Sequence, residues 1–282
     1  MANDTSREHH ADWADDLALA LDLCDAADAI TTDRFRAHDL HVETKPDLTP
    51  VSEADHAVEA AIRARLATAR PGDAVLGEEM GEEMGEEMGE EQGAGGDASR
   101  RWIVDPIDGT KSYVRGVPVW ATLLALESAG ELVLGVVSAP ALARRWWATL
   151  GGGAYADGDP IRVSEVHALD DAQVCFADPS EWDAKGLGTS MLDLTRRAWR
   201  AIGFGDFWGH MLVAEGSAEV MVEPELSLWD VAALRPIIAE AGGRCTNLAG
   251  APALGPGGCV TTNGRLHDEV LAALSAGDGR TS

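Results

Sequence analysis

Trp102-Ile103-Val104-Asp105-Pro106-Ile107-Asp108-Gly109-Thr110 is the stretch around which the rest of the sequence can be arranged. Its three leading apolar residues predict a short buried strand, which Pro106 should end because proline cannot donate a hydrogen bond to a neighbouring strand. Two carboxylates, Asp105 and Asp108, follow three residues apart. A helix that begins near Thr110 would offer free backbone N–H groups to an anion. Carboxylates beside an anion pocket suit a site where divalent cations lie between the protein and a phosphate.

The composition predicts a soluble globular protein. The chain has 282 residues, 45% of them hydrophobic, and a formal net charge of −26. That charge disfavours nucleic acid and anionic membranes as partners. The apolar runs are shorter than the roughly 20 residues of a membrane span, and residues 1–16 lack the pattern of a signal peptide. The 4 cysteines show no metal-binding spacing, so we expect a cytoplasmic protein with reduced thiols.

The first part of the chain predicts two amphipathic helices. Residues 1–11 are predicted to be disordered, and apolar residues recur at helical spacing over residues 12–36. Ser52 is a good N-cap for the second helix. Asp55, three residues later, is either a capping-box carboxylate or an acid that points into the site, and spacing alone leaves both open.

A tetrapeptide repeat follows the next short strand. Gly-Glu-Glu-Met begins at positions 77, 81 and 85, and a fourth copy at position 89 ends in glutamine. A glycine at every fourth residue disfavours a helix and the glutamates repel one another, so residues 81–99 are predicted to form an expanded surface loop. One copy can serve the site. Glu78 and Glu79 adjoin the strand and are best placed, and Glu90 and Glu91 are the rival pair.

The rest of the chain alternates strands and helices as an α/β protein does. Long strands over 117–126 and 132–138 continue into a meander of further strands. We expect an N-terminal α+β half (12–165) that carries the metal site and a C-terminal α/β half (166–275). A disordered tail (276–282) follows.

Acidic residues recur at predicted strand ends and helix starts, at Glu78, Asp105, Asp108 and Asp230. Oxygen ligands without histidine or cysteine among them suit Mg²⁺, which binds few carboxylates and keeps water and substrate phosphate as further ligands. Each acid alone is more often a helix cap or a solvated side chain. The spacing of Asp105 and Asp108 beside Gly109 is the more specific signal.

Three motifs resemble, in order, the signature motifs of the inositol monophosphatase superfamily: Gly77-Glu78-Glu79, Asp105-Pro106-Ile107-Asp108-Gly109-Thr110 and Trp229-Asp230-Val231-Ala232-Ala233. The resemblance covers about residues 12–275, and residues 113–122 and 138–147 are similar to the actinobacterial histidinol-phosphatase branch. It implies an alternating α-β-α-β-α layered sandwich of the inositol monophosphatase and fructose-1,6-bisphosphatase type. It also implies a homodimer that hydrolyses a phosphate monoester with Mg²⁺.

The resemblance further implies a set of metal ligands. Glu78, Asp105 and the Ile107 carbonyl would hold one Mg²⁺ ion. Asp105, Asp108 and Asp230 would hold a second, with Asp105 as the bridge. A third, weaker ion would lie near Glu78.

Roles in catalysis are implied in the same way. Thr110, hydrogen-bonded to Asp55, would orient the attacking water. The N–H groups of Gly109 and Thr110 would bind the phosphate. Lys45 and Glu79 would support the site from close by.

Asp206 and Glu223 are the candidate residues for binding the rest of the substrate. By the resemblance, Glu223 stands where the family contacts the alcohol part of the substrate. Asp206 takes a place where inositol phosphatases often have a small hydroxyl residue, and a carboxylate there could pair with the amine of histidinol phosphate. The alternative interpretation of Asp206 is a helix N-cap.

The sequence therefore predicts a Mg²⁺-dependent histidinol-phosphate phosphatase of histidine biosynthesis. An inositol-1-phosphate or broad sugar-phosphate phosphatase is the alternative within the same chemistry. A catalytically silent metal-binding or assembly protein is the alternative of another class, and it is disfavoured because all the proposed ligands are present. The Gly-Glu-Glu-Met expansion after Glu79 departs from the family pattern and leaves open which glutamate is the ligand.

Overall fold

Sheets and helices alternate in stacked layers in this protein, which a computed structural model describes over residues 6–46, 49–85, 100–252 and 256–275. The helices are α1 (Ser6–Arg34), α2 (Glu53–Ala69), α3 (Thr110–Val114), α4 (Pro179–Ala184), α5 (Gly188–Arg197), α6 (Asp206–Ala214), α7 (Leu228–Ala232), α8 (Leu234–Glu240) and α9 (His267–Ser275). The strands are β1 (Val42–Thr44), β2 (Pro50–Ser52), β3 (Ala74–Gly77), β4 (Gly81–Glu83), β5 (Arg100–Asp108), β6 (Ala121–Ser128), β7 (Glu131–Ala139), β8 (Arg144–Thr149), β9 (Gly153–Ala156), β10 (Asp159–Pro160), β11 (Gln173–Phe176), β12 (Arg200–Ile202), β13 (Val220–Leu226), β14 (Arg244–Asn247) and β15 (Gly257–Thr262).

The larger sheet is built mainly from hairpins in the first half of the chain. Its strand order is β10-β9-β8-β7-β6-β5-β3-β4. Neighbouring strands are antiparallel except β3 and β5, whose parallel pairing places Gly77 beside Val104. The turn after β3 therefore lies next to the end of β5, which carries the predicted acids.

Alternate residues of this sheet face two different layers of helices. Trp102 and Val104 pack with α1 and α2 on one face. Ile103, between them, packs with α6, α7 and α8 on the other face. Burial on both faces explains why the start of β5 is a continuous apolar run rather than an alternating one.

The smaller sheet has the strand order β12-β11-β13-β15-β14. Val213 of α6 packs against Met221 on its inner face. Its outer face is covered by α4, α5 and α9, which contribute Trp182, Leu194 and Val270. The layers therefore follow the order helix, sheet, helix, sheet, helix, which confirms the predicted α-β-α-β-α layered sandwich.

Three local predictions differ from the structure. The helix α1 begins at Ser6, inside the segment predicted to be disordered. The strand β5 continues through Pro106 to Asp108, because proline is tolerated where strand pairing is irregular. The strand β4 (Gly81–Glu83) lies inside the predicted loop, since it pairs with β3 at the edge of the sheet.

Other predictions about chain organisation fall outside the described residues, namely the disorder of residues 1–5 and 276–282 and the loop over residues 86–99. The predicted division at residues 165 and 166 lies between β10 and β11, where the chain passes from the larger sheet to the smaller one. Whether the two halves are separate domains stays a prediction. Within the described ranges, none of the helices has the length and apolar character of a membrane span.

Candidate active site

Carboxylates from two elements meet where β5 ends. Asp105 and Asp108 belong to β5 and Asp230 to α7, and one oxygen from each lies within 4.8 Å of the others. Asp105 is 2% exposed and Asp108 is 8% exposed. Like charges this close and this buried are unfavourable without a cation or a proton between them. The group is therefore suited to hold a metal ion through oxygen atoms.

Burial and mutual repulsion raise the pKa of all three carboxyl groups. For Asp105, burial is the largest cause and the charge of Glu78 the next. For Asp108, burial is followed by the charge of Asp206. Burial is also the largest cause for Asp230, whose pKa is raised to about 7. Without a cation, the cluster therefore binds protons more readily than free aspartates do.

An irregularity in β5 brings Asp105 and Asp108 to the same side. Residues three apart in a regular strand point to opposite faces of the sheet. Here the pairing with β6 shifts register between the two aspartates, and the Pro106 carbonyl accepts a hydrogen bond from the Thr122 hydroxyl at 2.8 Å. The shift turns the second carboxylate toward the first.

The turn after β3 carries Glu78 to the same cleft. The Lys45 ammonium donates to Glu78 Oε1 at 2.7 Å and to Glu79 Oε1 at 2.6 Å. Burial lowers the pKa of Lys45, but the hydrogen bonds to the two glutamates outweigh it and the pKa is raised. Glu78 is not one of the three acids within 4.8 Å of one another, yet its charge acts on Asp105. The structure therefore places Lys45, Glu78 and the aspartate cluster in one cleft, and their roles there stay predictions.

Glu59, a buried residue of α2, holds this turn and was missed by the sequence analysis. Its carboxylate accepts the N–H of Glu79 at 2.8 Å and the N–H of Met80 at 3.1 Å. Arg63 Nε donates to it at 2.9 Å. A Cβ on Gly77 would lie 2.0 Å from Glu59 Oε1, so glycine is required against this carboxylate. The sequence signal that could have revealed this contact is an acid and an arginine, Glu59 and Arg63, four residues apart on the apolar face of a helix.

These contacts favour the first repeat copy as the one that serves the site. Its Glu78 lines the cleft, whereas the described residues of the second copy form β4 and do not. Glu90 and Glu91, the rival pair, lie outside the described residues. Lys45 also binds both glutamates of the first copy, Glu78 and Glu79.

The predicted hydrogen bond between Thr110 and Asp55 is wrong. The Thr110 hydroxyl donates to the Ile107 carbonyl at 2.9 Å, because an acceptor three residues back in the chain competes with distant ones. Asp55 Oδ2 accepts the N–H of Ser52 at 2.8 Å and its hydroxyl at 2.6 Å, which confirms the capping-box interpretation. Asp55 Oδ1 is buried and has no hydrogen-bond partner within the described part of the chain.

Gly109 precedes α3 in a left-handed conformation, with a φ of 82°. A Cβ there would lie 3.0 Å from the Val119 carbonyl and 3.3 Å from Asp206 Oδ2. The missing side chain lets the backbone of Gly109 and Thr110 turn tightly beside the acids, and both residues line the cleft. Phosphate binding by their N–H groups stays a prediction.

Asp206 and Glu223 also line the cleft. The Asp206 N–H donates to Glu223 Oε1 at 2.9 Å, and the N–H of Phe207 donates to Asp108 Oδ2 at 2.6 Å. The turn at Asp206 and Phe207 therefore links Glu223 to Asp108 of the aspartate cluster. Burial, followed by the charge of Glu223, raises the pKa of Asp206 to about 7. The N-cap interpretation of Asp206 is wrong, because Gly205 is the N-cap of α6 and no side chain caps it.

Glu223 has a second partner, His210, which the sequence analysis also missed. His210 Nε2 lies 3.0 Å from Glu223 Oε2. The side chain is fully buried in α6. After Asp206 in its first turn, α6 carries His210 among apolar residues, and that sequence signal does not reveal the partner of His210.

These groups open into one cleft of about 560 Å³. That volume is typical of sites for small molecules. The cleft combines the aspartate cluster with further carboxylates, and Lys45 and Lys111 also line it. It is suited to a small ligand that carries both a phosphate and a cationic or hydrogen-bond-donating group that can bind a carboxylate.

A layered α/β sandwich that gathers buried carboxylates beside a tight glycine turn defines a metal-dependent phosphatase of small molecules. Residues 12–278 match the inositol monophosphatase family, and the chain belongs to that family. The histidinol-phosphatase of Streptomyces coelicolor is 52% identical and covers 94% of this chain and 98% of its own length. The histidinol-phosphatase of Mycobacterium tuberculosis is 51% identical, over 93% of this chain and 99% of its own.

Solved structures agree with this assignment. The extragenic suppressor protein suhB from Bartonella henselae superposes with a TM-score of 0.82 at 27% identity, and covers 92% of this chain and 97% of its own. An IMPase from Thermotoga maritima gives a TM-score of 0.81 at 28% identity, over 94% and 98%. Family membership confirms the predicted fold class and the prediction of an enzyme that hydrolyses phosphate monoesters. Members of the family are metal-dependent, in agreement with the acidic cluster.

Proposed function

We propose that this protein is a Mg²⁺-dependent histidinol-phosphate phosphatase, which converts L-histidinol phosphate and water to L-histidinol and phosphate in histidine biosynthesis. The similarity to two histidinol-phosphatases over more than nine-tenths of the chain supports this substrate. The acidic cluster and the cleft support the chemistry.

The observation that carries the substrate proposal is the pair of carboxylates formed by Asp206 and Glu223. Histidinol phosphate carries an ammonium group on the carbon next to the one that bears the phosphate ester. Both acids share one cleft with the Asp105 cluster, so the phosphate can bind at the cluster while the ammonium group binds the pair. A cation there offsets the repulsion that raises the pKa of Asp206, which an uncharged sugar hydroxyl does not.

The residues present fit Mg²⁺. The donors are carboxylate and carbonyl oxygens, and Asp105 Oδ1 is buried without a hydrogen-bond partner within the described ranges. Glu78, Asp105 and the Ile107 carbonyl are assigned to one ion, and Asp105, Asp108 and Asp230 to a second. A third, weaker ion is assigned to the vicinity of Glu78. When bound, such ions lower the pKa of water and neutralise charge on the phosphoryl and leaving oxygens.

The side chains and backbone around α3 orient the reactants. The N–H groups of Gly109 and Thr110 bind the phosphate. The Thr110 hydroxyl, which donates to the Ile107 carbonyl at 2.9 Å, orients the attacking water from its place in the cleft.

Lys45 and Glu79 support Glu78 rather than touch the substrate. The Lys45 ammonium binds Glu78 at 2.7 Å and Glu79 at 2.6 Å, which restrains the Glu78 carboxylate. Both are therefore positioning residues in this proposal.

Phosphate release from three substrates tests the proposal: histidinol phosphate, inositol-1-phosphate and fructose-1,6-bisphosphate, each with Mg²⁺ and with a chelator. We expect kcat/KM to be highest for histidinol phosphate and the chelator to abolish turnover. Faster hydrolysis of inositol-1-phosphate or the sugar phosphate would favour the broader phosphatase. No release from any substrate would favour a silent protein, and each of these outcomes contradicts the proposal.

Asp206→Ala tests the substrate assignment within the site. We expect KM for histidinol phosphate to rise about tenfold, since a charge-assisted hydrogen bond is lost. KM for inositol-1-phosphate should change much less, because that substrate brings no cation. Equal changes for both substrates would contradict the pairing with the amine.

We also infer that the enzyme acts in the cytoplasm as a homodimer. The superfamily resemblance supports the dimer, and the cysteine pattern supports the compartment. Light scattering on the purified protein tests the dimer, and a monomer mass would contradict it.

A further inference from the structure

Three buried side chains form a hydrogen-bonded chain behind the cleft. Glu223 Oε2 lies 3.0 Å from His210 Nε2, and His210 Nδ1 lies 2.8 Å from the Thr261 hydroxyl. Glu223 is 3% exposed, and the other two side chains are fully buried. Thr261 belongs to β15, which has a paired strand on each side. The chain therefore begins at the cleft and ends on a rigid element of the smaller sheet.

The positions of the hydrogens follow from the partners. An ionised carboxylate only accepts hydrogen bonds, so His210 Nε2 carries the hydrogen that points at Glu223. In the neutral ring Nδ1 is then an acceptor, and the Thr261 hydroxyl donates to it. The strand thus orients the imidazole, and the imidazole orients the carboxylate.

The same contacts determine which oxygen of Glu223 is available to a ligand. Oε2 is held by His210. Oε1 accepts the Asp206 N–H at 2.9 Å, and a Cβ on Gly205, which lines the cleft, would lie 3.4 Å from it. One oxygen is therefore anchored in the core while the other lies beside the cleft with a lone pair to spare.

We propose that His210 is a positioning residue for substrate recognition, which holds the Glu223 carboxylate so that Oε1 accepts a hydrogen bond from an ammonium or hydroxyl group of the substrate. This inference rests on the proposed phosphatase function and names a determinant of the same site. An imidazole is suited to the role because it can donate to Glu223 from Nε2 and bind Thr261 through Nδ1 at the same time. A lysine or arginine at this position would repel a cationic substrate.

His267 provides a matched control. It is also fully buried, and its ring lies between two hydroxyls, with Nε2 2.8 Å from Thr246 Oγ1 and Nδ1 3.0 Å from Thr262 Oγ1. It does not line the cleft. Replacing His267 therefore removes two buried hydrogen bonds of the same kind without loosening Glu223.

The test compares His210→Leu, His210→Gln and His267→Leu in steady-state kinetics. The substrates are histidinol phosphate and p-nitrophenyl phosphate, whose leaving group carries no ammonium or hydroxyl. We expect His210→Leu to raise KM for histidinol phosphate about tenfold, with kcat changed less than about threefold and KM for p-nitrophenyl phosphate less than about twofold. His210→Gln should restore most of the loss, because an amide both donates and accepts. His267→Leu should change neither KM.

Thr261→Val tests the far end of the chain and covers the case in which His210→Leu does not fold. It keeps the imidazole but removes the donor to Nδ1. We expect KM for histidinol phosphate to rise about threefold, with Thr261→Ser restoring it. An unchanged KM for histidinol phosphate, or equal changes for both substrates, would overturn the inference.

Failure of the proposed function gives a different result. If the unmodified enzyme hydrolyses inositol-1-phosphate but not histidinol phosphate, the substrate assignment is wrong. The same variants are then compared with inositol-1-phosphate, whose hydroxyls can donate to Glu223, and the same shifts in KM support the role of His210. Absence of turnover with every substrate contradicts both proposals.

Discussion

The two copies of Gly-Glu-Glu-Met at residues 77–80 and 81–84 have the same sequence and opposite environments. In the first copy, Glu78 lines the cleft and the backbone is bound by the buried Glu59. In the second copy, the side chains of Glu82 and Glu83 are 46% and 70% exposed and pair with arginines. The tetrapeptide alone therefore does not determine its role.

Strand pairing causes the difference. The strand β3 runs parallel to β5 and delivers the first copy to the end of β5, beside the aspartates. The chain then reverses, and β4 runs back along β3 at the edge of the sheet. Parallel neighbours bring functional side chains together at their carboxyl ends, whereas an edge strand leaves its side chains in water.

Glu78→Gln and Glu82→Gln should separate the two copies most strongly. We expect kcat for phosphate release to fall at least about 100-fold in Glu78→Gln, because the change removes the charge of a proposed metal ligand. Glu82→Gln should change kcat less than about twofold. Turnover measured across a Mg²⁺ titration checks this. Full activity in Glu78→Gln would mean that another copy supplies the ligand.

Glu59→Gln removes the anchor of the first copy. We expect a loss of about 3 kcal/mol in the free energy of unfolding. The change leaves the buried Arg63 guanidinium without its charged partner. It also places an amide donor where the carboxylate accepted backbone N–H groups. Glu83→Gln, which removes the exposed partner of the same arginine, should leave the unfolding midpoint unchanged. Urea denaturation at fixed Mg²⁺ compares them. Similar losses in both variants would contradict the difference in environment.

Gly77→Ala and Gly81→Ala test the glycines that begin the two copies. A Cβ on Gly77 meets Glu59 at 2.0 Å, and we expect a loss of about 2 kcal/mol together with reduced turnover. A Cβ on Gly81 meets no atom of the described residues within 4 Å, so its positive φ of 71° is the expected cost to stability, about 1 kcal/mol, with turnover kept. Reduced turnover in Gly81→Ala alone would reverse the assignment of the copies.

Local sequence patterns predicted the parts of this site that depend on strand ends and caps. The spacing of Asp105 and Asp108, the helix start at Asp230 and the capping box of Asp55 all follow from chain-local chemistry. The alternation of strands and helices predicted an α/β protein, and the layered sandwich followed from the resemblance of the three motifs to the inositol monophosphatase superfamily. Glu78 also appeared where the end of a predicted strand placed it.

Contacts between distant segments could not be predicted in this way. The Thr110 hydroxyl donates to the Ile107 carbonyl and not to Asp55, which the three motifs did not reveal. Glu59 and His210 look like ordinary helix residues in the sequence, because their partners lie on other elements. Buried polar groups are set by the tertiary neighbours that satisfy them, which a single sequence does not display.

The smallest expected difference between the copies is electrostatic and appears in the metal-free protein. Burial, and next the charge of Glu78, raise the pKa of Asp105, and the pKa of Asp230 is raised to about 7. Unfolded aspartates titrate near pH 3.9, so between about pH 4 and 7 the folded state binds more protons than the unfolded state, and stability falls as pH rises through that window.

Glu78→Gln should make this fall in stability shallower, since it removes one repelling charge, while Glu82→Gln should leave it unchanged. Denaturation midpoints at pH 5 and pH 8 in a chelator measure the fall, and excess Mg²⁺ should stabilise the protein more at pH 8. Parallel pH profiles for Glu78→Gln and the unmodified protein would show that the first copy does not act on the aspartates.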